Sequence, residues 1–568
     1  MNWNICIDFG TCNTVISYVE DNVLKQIQDD ITGDILIPST INFISEHIKS
    51  DTKISELIPD INFYIGNTAN DYVNSNKEYE YYFYQFKRFL GITSKSIEIH
   101  KDFLTRYDFN YTLDEDIIYF YIKSGDNSES KVKFSITNLI TLFFKSIKNK
   151  IINKIPDLKK CEKIPIIITC PAYFHDLQRT QLKKSVEQAG FEIYKLINEP
   201  TAAAIYYINM YSKTNIKDKY IIYDLGGGTI DTTVVEYYPE TNTCEVIDID
   251  GNNGLGGIDI DNIITYDLIN RYNIDNSNIK WLNKIKKYAE EIKIKLTYNT
   301  SYTINLENIP IFKNGKLIIM DNLKIIYSRQ TFNNIINEII DKMIEPIKNM
   351  FNKYNISNII FIGGPTQIPL LQSKVNSIIY SNLTINTIGT NNEMNFSNNL
   401  DILYKTIVSQ GGSILYKKII TKEDFCLLDI IPMNIGISDP DNKMLIMIEK
   451  NSKIPINMEK IFSTSHDCQR YIDIEVYEGN ENYISLNTFI GSYKIIGIPP
   501  LPKGMILIKL LFKISYNGIL EISIEGTKNS SDNSSKSFDF KFNENIKLIP
   551  TNVAKEILKK ILFECKKK

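Results

Sequence analysis

Tyr220 to Glu236 reads YIIYDLGGGTIDTTVVE, and the fold of the chain turns on how this stretch is understood. An apolar, β-rich run ends at Asp224, turns through Gly226, Gly227 and Gly228, and resumes as a second β-branched run beyond Thr229 and Asp231. The pattern predicts a hairpin with a bare backbone at its tip. Three successive residues without Cβ let main-chain N–H groups face one concavity, where an anion such as phosphate can approach closely. Carboxylates at both ends of the tip imply a bound cation. Alone, the stretch reads first as a plain tight turn between two sheet strands, so the rest of the chain must decide.

The chain opens on the same grammar. Ile5-Cys6-Ile7-Asp8 runs into Phe9-Gly10-Thr11-Cys12-Asn13-Thr14 and then into Val15-Ile16-Ser17-Tyr18-Val19. Both segments read as apolar strand, Asp, one residue, Gly, a short polar turn with Thr, and a second strand. Two matched hairpins predict two related lobes that face each other and hold one nucleotide's phosphates between them. Mg²⁺ keeps several of its waters and borrows only one or two carboxylates, so Asp8 and Asp224 can share one hydrated ion.

Composition narrows the remaining classes. A length of 568 residues is a prior of roughly four domain-sized units, and two large ones fit as well. With 43% hydrophobic and 23% charged residues and a mean hydropathy of -0.17, the chain is ordinary globular material. No unbroken apolar stretch nears the ~20 residues that a membrane span needs. A net charge of -3 and a pI near 6.0 give no global attraction to nucleic acid or anionic membrane. The eight cysteines form no Cys-x-x-Cys pair, and the N-terminus lacks a basic-then-apolar signal pattern, so reduced thiols and a cytoplasmic location are expected. Four histidines, none spaced as His-x-x-x-His, leave a zinc-enzyme reading little to stand on.

Between the hairpins come Phe86-Lys87-Arg88-Phe89-Leu90-Gly91, a helical stretch around Ile136 to Ile152, and an apolar strand from Ile164 to Cys170. Pro171-Ala172-Tyr173-Phe174-His175-Asp176 follows. Leu177 to Ala189 then reads as an exposed helix carrying Arg179 and Lys183. In Leu196-Ile197-Asn198-Glu199-Pro200-Thr201-Ala202 a carboxylate stands just before a proline suited to a helix start.

The run CPAYFHDLQRTQLKKSVEQAGFEIYKLINEPTAAAIYY, together with DFGTCNT at Asp8 and DLGGGTIDTTVVE at Asp224, resembles the nucleotide-binding domain of the heat shock protein 70 chaperone family. Ile359 to Pro369, IIFIGGPTQIP, resembles that family's adenosine loop. The signatures also stand in the family's order.

The resemblance implies an α/β plus all-β chain: a two-lobed, actin-like ATPase domain over 1–420, a hydrophobic linker over 421–429, a β-sandwich peptide-binding domain over 430–545, and a short C-terminal helix with a lysine tail over 546–568. It implies ATP or ADP as ligand, with Mg²⁺ held through water by Asp8 and Asp224 and K⁺ as a further candidate ion. Gly10, Thr11, Cys12 and Asn13 would hold the phosphates from one side, and Gly226, Gly227, Gly228 and Thr229 from the other. Lys87 matches the family's catalytic lysine, a point charge suited to a transferring phosphoryl group and its attacking water. Glu199 and Asp231 would complete the acidic ring, and Gly257, Glu290, Lys293, Ile294, Thr297, Gly363, Gly364, Pro365 and Gln367 would surround the nucleoside.

The departures from the family lie mostly around the base. Glu290 and Lys293 match ribose contacts, but an arginine that normally lies against adenine is here Ile294, and the opposing basic residue is Gln367. Losing a cation–π partner is worth roughly 0.5 to 2 kcal/mol, a two- to thirty-fold weakening at each position. Cys12 replaces a phosphate-contacting hydroxyl, and Pro365 replaces a small polar residue. An ATPase of modest nucleotide affinity is therefore expected.

Glu423-Asp424-Phe425-Cys426-Leu427-Leu428-Asp429 is too apolar for a flexible spacer and reads alone as a strand. Against the family it matches the docking linker, with Asp424, Leu427 and Leu428 as coupling residues beside Pro171 and Arg179. Beyond Ile430 the alternating segments are all β, and by position Ile435, Ile437, Phe462, Ile472 and Ile474 would line a peptide pocket. The same residues also suit a sandwich core.

The resemblance implies unfolded polypeptides as ligands, a J-domain co-chaperone at a surface with Lys195, Asn198 and Asp424, a nucleotide exchange factor, and a monomer that binds neither nucleic acid nor membrane. Two other classes stay open: an assembly or interaction protein with weak ATPase activity, and a small-molecule kinase on the same nucleotide-binding fold. The segment NSSDNSSK, Asn529 to Lys536, reads as a mobile loop. Asn552 to Cys565 offers one amphipathic helix where the family carries a larger helical lid, and a lid acts mainly on the rate of peptide escape. Bound peptides are expected to leave faster than from a lidded relative; in a fluorescence-anisotropy chase with ADP, long-lived complexes would contradict this.

Overall fold

Both glycine-tipped segments form antiparallel hairpins, closed at the tip by the same bond. Ile5–Phe9 pairs with Asn13–Glu20, with Asp8 opposite Val15, and the Gly10 N–H donates to the Asn13 carbonyl at 3.0 Å. Asp218–Leu225 pairs with Ile230–Tyr238, with Asp224 opposite Asp231, and the Gly226 N–H donates to the Thr229 carbonyl at 3.0 Å. Each first strand also takes a parallel neighbour. Ile5 to Ile7 lies against Ile166 to Ile168, and Ile221 to Asp224 against Ile359 to Ile362. Strands buried on both faces need continuous apolar runs rather than alternation, which is what ICIDF and IIYDL supply. Each aspartate therefore sits near the C-terminal end of a central strand, the place where open α/β sheets bind ligands.

This computed structural model describes residues 3–29, 31–76, 81–93, 107, 109–114, 117–123, 125, 130–211, 218–277, 279–354, 356, 358–379, 386–387, 400–496, 498–528 and 547–550. The expected helix from Asn552 to Cys565, the lysine tail and the loop from Asn529 to Lys536 lie outside them. The first-lobe sheet runs Phe191–Asn198, Ile164–Cys170, Ile5–Phe9, Asn13–Glu20, Val23–Gln26, with Ile37–Pro38 beside Asn13–Glu20. Helices Glu199–Tyr211 and Leu400–Ile420 pack together between the lobes. Their approach depends on Gly411, where a Cβ would lie 1.8 Å from the Ala202 carbonyl oxygen.

The second-lobe sheet crosses a domain boundary. Its order is Asn386–Thr387, Asn358–Ile362, Asp218–Leu225, Ile230–Tyr238, Thr243–Asn252, Cys426–Ile430, Lys453–Ile454. The linker segment is thus a strand, parallel to Thr243–Asn252, with Thr243 opposite Cys426 and Glu245 opposite Leu428. Lys453–Ile454, from the following domain, pairs antiparallel with its end. That domain is a β-sandwich. One sheet runs Met444–Ile448, Ile435–Ser438, Tyr471–Glu478, Thr488–Ile496, Lys547–Pro550, and the other runs Ile456–Ser463, Ile506–Ile514, Leu520–Lys528. Ile435, Ile437 and Ile474 are buried in its core, while Phe462 and Ile472 are half-buried against it.

One sequence expectation needs correction. Arg179 does not lie on an exposed face of its helix, Asp176–Gln188, but is buried with Gln178, Leu182 and Val186. Its guanidinium donates to the Phe174 and Ala172 carbonyls at 3.0 Å, to Cys170 Sγ at 3.1 Å and to Asn198 Oδ1 at 2.8 Å. A polar-looking helix sequence hides this because the partners are backbone carbonyls, a thiol and an amide, which carry no charge signature.

The sandwich sits on the first lobe through a reciprocal exchange of backbone donors. Glu478 Oε2 accepts the Asp176 N–H at 2.9 Å, Asp176 Oδ1 accepts the Leu520 N–H at 2.6 Å, and Asn517 Oδ1 accepts the Leu196 N–H at 3.0 Å. Glu478 thereby caps a helix N-terminus that belongs to another domain. Burial pushes its carboxyl up to about 8, and Asp176, itself pushed up to about 6 by burial, adds to the rise while Arg179 opposes it. A separated sandwich returns Glu478 toward its ordinary value, so the docked form holds the extra proton, and docking strengthens as pH falls through 8. Energy transfer between dyes on the first lobe and the sandwich is expected to rise from pH 8.5 to 6.5, and Glu478→Gln to flatten the response; pH-independent docking of the unaltered protein would contradict it.

Candidate functional site

The two hairpin tips meet across a cleft. A Cβ on Gly227 would lie 2.4 Å from Cys12 Sγ and force that side chain to move, and one on Gly228 would come within 3.2 Å of Thr11 and Arg88. Beneath the tips, Asp8, Gly10, Thr11, Cys12, Asn13, Lys87, Glu199, Asp224, Gly226, Gly227, Thr229, Gly257, Glu290, Lys293, Ile294, Thr297, Gly363, Gly364, Pro365 and Gln367 all line one cavity of about 300 Å³. Gly228 and Asp231 stand outside that lining. Residues that the sequence reading missed also border it, among them Val15, Leu36, Tyr298, Tyr404, Lys405 and Val408. The missed aromatic, Tyr298, has a signal in hindsight: it follows Ile294 by four residues, one helical turn, on the Ile279–Tyr298 helix.

The inner end of the cavity is unbalanced in charge. Lys87 is buried, its Nζ 2.9 Å from Glu199 Oε1 and above the rings of Phe9 and Phe174 at 5.7 and 5.4 Å. Glu199 begins its helix and so meets the helix's unpaired N–H groups, which favour a negative charge. Asp8 accepts the Thr169 hydroxyl at 2.9 Å, and Asp231 accepts the Tyr173 N–H at 2.8 Å with one oxygen while the other, also buried, has no protein partner. Asp224 completes the set. Burial, reinforced by Glu199, pushes both Asp8 and Asp231 up to about 7 and Asp224 well above its ordinary value. Burial would lower the Lys87 ammonium, but Glu199 and Asp8 more than offset it and hold it above its usual range. Three carboxyls and one ammonium line this end of the cavity, with Asp231 buried opposite Asp224, and such an excess of negative charge favours an added cation.

The Cys12 thiol, pushed up to about 12 by burial and then by Glu290, stays protonated at neutral pH. Toward the outer end, Lys293 Nζ pairs with Asp261 Oδ2 at 2.6 Å. Gln367 Oε1 accepts the Tyr298 hydroxyl at 2.6 Å, and Ile294 and Tyr298 are exposed.

A polar relay runs from beside this cavity to the linker. Arg179 and Asn198 are joined at 2.8 Å, and Asn198 Nδ2 donates to both oxygens of Asp429 at 3.1 and 3.0 Å. Asp429 therefore joins the predicted coupling residues. Pro171 belongs to the same turn, its carbonyl 3.5 Å from Arg179 Nη2. Leu427 and Leu428 are half-buried along the linker strand, while the Asp424 carbonyl accepts the Asn242 side-chain amide. Of the surface predicted to meet a co-chaperone, Asp424 is exposed but Asn198 is buried in this relay. On the far side of the linker strand, Asp248 gathers Lys353 at 2.6 Å, the Tyr354 hydroxyl at 2.9 Å and, from the sandwich, Asn451 Nδ2 at 2.9 Å.

Comparison with known proteins agrees with this geometry. The family model described as "Hsp70 protein" matches residues 4–546. The "Chaperone protein DnaK" of Mycoplasma mycoides subsp. mycoides is 32% identical over 418 residues, covering 71% of this chain and 67% of the relative. That of Thermotoga petrophila is 28% identical over 534 residues, covering 91% and 77%. The one from Ureaplasma parvum serovar 3 is 31% identical over 378 residues, and the match spans 59% of its length. With two actin-like lobes, a linker strand and a β-sandwich in the matched order, this chain belongs to the Hsp70 family.

Proposed function

We propose that this chain is an ATP-driven chaperone: it hydrolyses ATP in the inter-lobe cleft and uses that reaction to bind and release extended apolar segments of unfolded polypeptides. The observation that carries the reading is the buried, charge-unbalanced ring beneath two facing glycine tips, connected by a polar relay to a linker strand that two domains share. The donor set suits a hydrated Mg²⁺. Asp231 keeps a buried oxygen without a protein partner, and among the described residues no three His, Cys, Asp or Glu side chains converge on direct ligation. When bound, the ion would neutralise charge on the phosphate oxygens.

The residues of the chain do the remainder. Asp8 and Asp224 would hold the ion through its waters, and the N–H groups around Thr11 to Asn13 and Gly226 to Thr229 would grip the phosphates. Lys87, oriented by Glu199, presents its other donors to the transferring phosphoryl group and the attacking water. Asp231 orders that water network from its Tyr173-held position. No covalent nucleophile is needed, since phosphoryl transfer relies chiefly on positioning and charge compensation.

For the peptide, the neighbouring strands Met444–Ile448 and Ile456–Ser463 expose Leu445, Ile446, Met458 and Ile461, an apolar surface on the sandwich that extended chains can cover. Ile437 and Phe462 lie in and against the core near those strands. A J-domain partner and an exchange factor fit this cycle. Turnover of ATP is expected to rise with an unfolded apolar peptide and a J-domain protein together, and Lys87→Ala to lower it about a hundredfold. Peptide-insensitive turnover would instead favour an assembly protein with weak ATPase activity, and full turnover by Lys87→Ala would refute the assigned role of Lys87.

A further inference from the structure

The cleft cavity has two chemically different ends. Its inner end carries the carboxylates and Lys87, whereas its outer end is bordered by Ile294, Tyr298, Pro365 and Gln367. Ile294 and Tyr298 stand one helical turn apart with 48% and 55% of their surfaces exposed, so a broad apolar face lies open at the cavity's rim. The Tyr298 ring is not free to swing. Its hydroxyl donates to Gln367 Oε1 at 2.6 Å, across the cavity mouth from the helix to the loop that follows Asn358–Ile362.

We propose that Tyr298 is the residue on which the nucleoside base stacks, with Gln367 as the positioning residue that fixes the ring's orientation. This rests on the nucleotide reading given above and names how the base end of that ligand is held. An anionic tail at the inner end and a flat π-system at the outer end together describe a nucleoside triphosphate, and the aromatic ring fixed at the rim is the surface that meets its base. Stacking on a neutral ring takes over where the neighbouring Ile294 offers only aliphatic contact. Because every base has a π-face, the ring rewards stacking area, and the larger purines gain more from it than pyrimidines.

The test is calorimetry on the full chain with Mg-ATP, Mg-CTP and the base-free ligand ribose 5-triphosphate, using the unaltered protein, Tyr298→Leu and Tyr298→Phe. Tyr298→Leu is expected to bind ATP about tenfold more weakly while holding ribose 5-triphosphate as before, and to lose most of its preference for ATP over CTP. Tyr298→Phe keeps the ring but releases it from Gln367, so its ATP affinity is expected to fall no more than about threefold. Unchanged ATP affinity in Tyr298→Leu, or an equal loss for ATP and the base-free ligand, overturns the proposal while the nucleotide reading stands. Failure of the unaltered protein to bind Mg-ATP overturns both.

Discussion

Three carboxyl groups and one ammonium line the inner end of the cleft, with a fourth carboxyl, Asp231, buried opposite Asp224, and most of the first domain serves to keep them there. Burial, and after it the neighbouring Glu199 carboxylate, raises the proton affinity of Asp8, Asp224 and Asp231. The chain tolerates this arrangement through backbone order. Two central strands deliver an aspartate each at their C-terminal ends, a helix start delivers Glu199, and the Phe86–Phe89 turn delivers Lys87 between aromatic rings. Removing the ammonium alone leaves an uncompensated buried carboxylate, which is why Lys87 and Glu199 are best viewed as one unit. The glycine tips leave bare main-chain N–H groups facing the same cleft, where an anion could reach them.

The second organising feature is a sheet that does not respect the domain boundary. The linker strand extends the second lobe and is itself extended by Lys453–Ile454 from the sandwich. The edge on which the sandwich rests is thus part of the second lobe's own sheet. The Arg179, Asn198 and Asp429 bonds join the residue beside Glu199 in the cleft wall to the linker strand. The reciprocal caps between Asp176, Leu520 and Glu478 fasten the sandwich to the other lobe. The docked sandwich thus makes contacts with both lobes at once.

Much of this was legible in the sequence wherever the chemistry is local. A strand ending in Asp, then Gly and Thr, announces a hairpin whatever surrounds it, and the pairings of Asp8 and Asp224 are as that pattern requires. The apolar run Cys426 to Leu428 was readable as a strand because such side chains need burial. What the sequence concealed were bonds between distant segments. Nothing near Asp429 points to Asn198, nothing near Glu478 points to the helix at Asp176, and Arg179 sits in a segment of polar residues that looks exposed. The residues proposed for a peptide pocket show the same limit from the other side. Ile435, Ile437 and Ile474 alternate as pocket residues and core residues alike would, and the fold places all three in the sandwich core.

The central claim is that the cleft's charge imbalance makes it a site for a cation and a polyphosphate together. The most direct measurement is calorimetric titration of the full chain with ATP, first in excess Mg²⁺ and then with the metal chelated. The account predicts binding detectable at millimolar ATP or below in Mg²⁺ and at least about tenfold weaker without it. Equal affinity under both conditions, or no binding to Mg-ATP at millimolar concentrations, would contradict it.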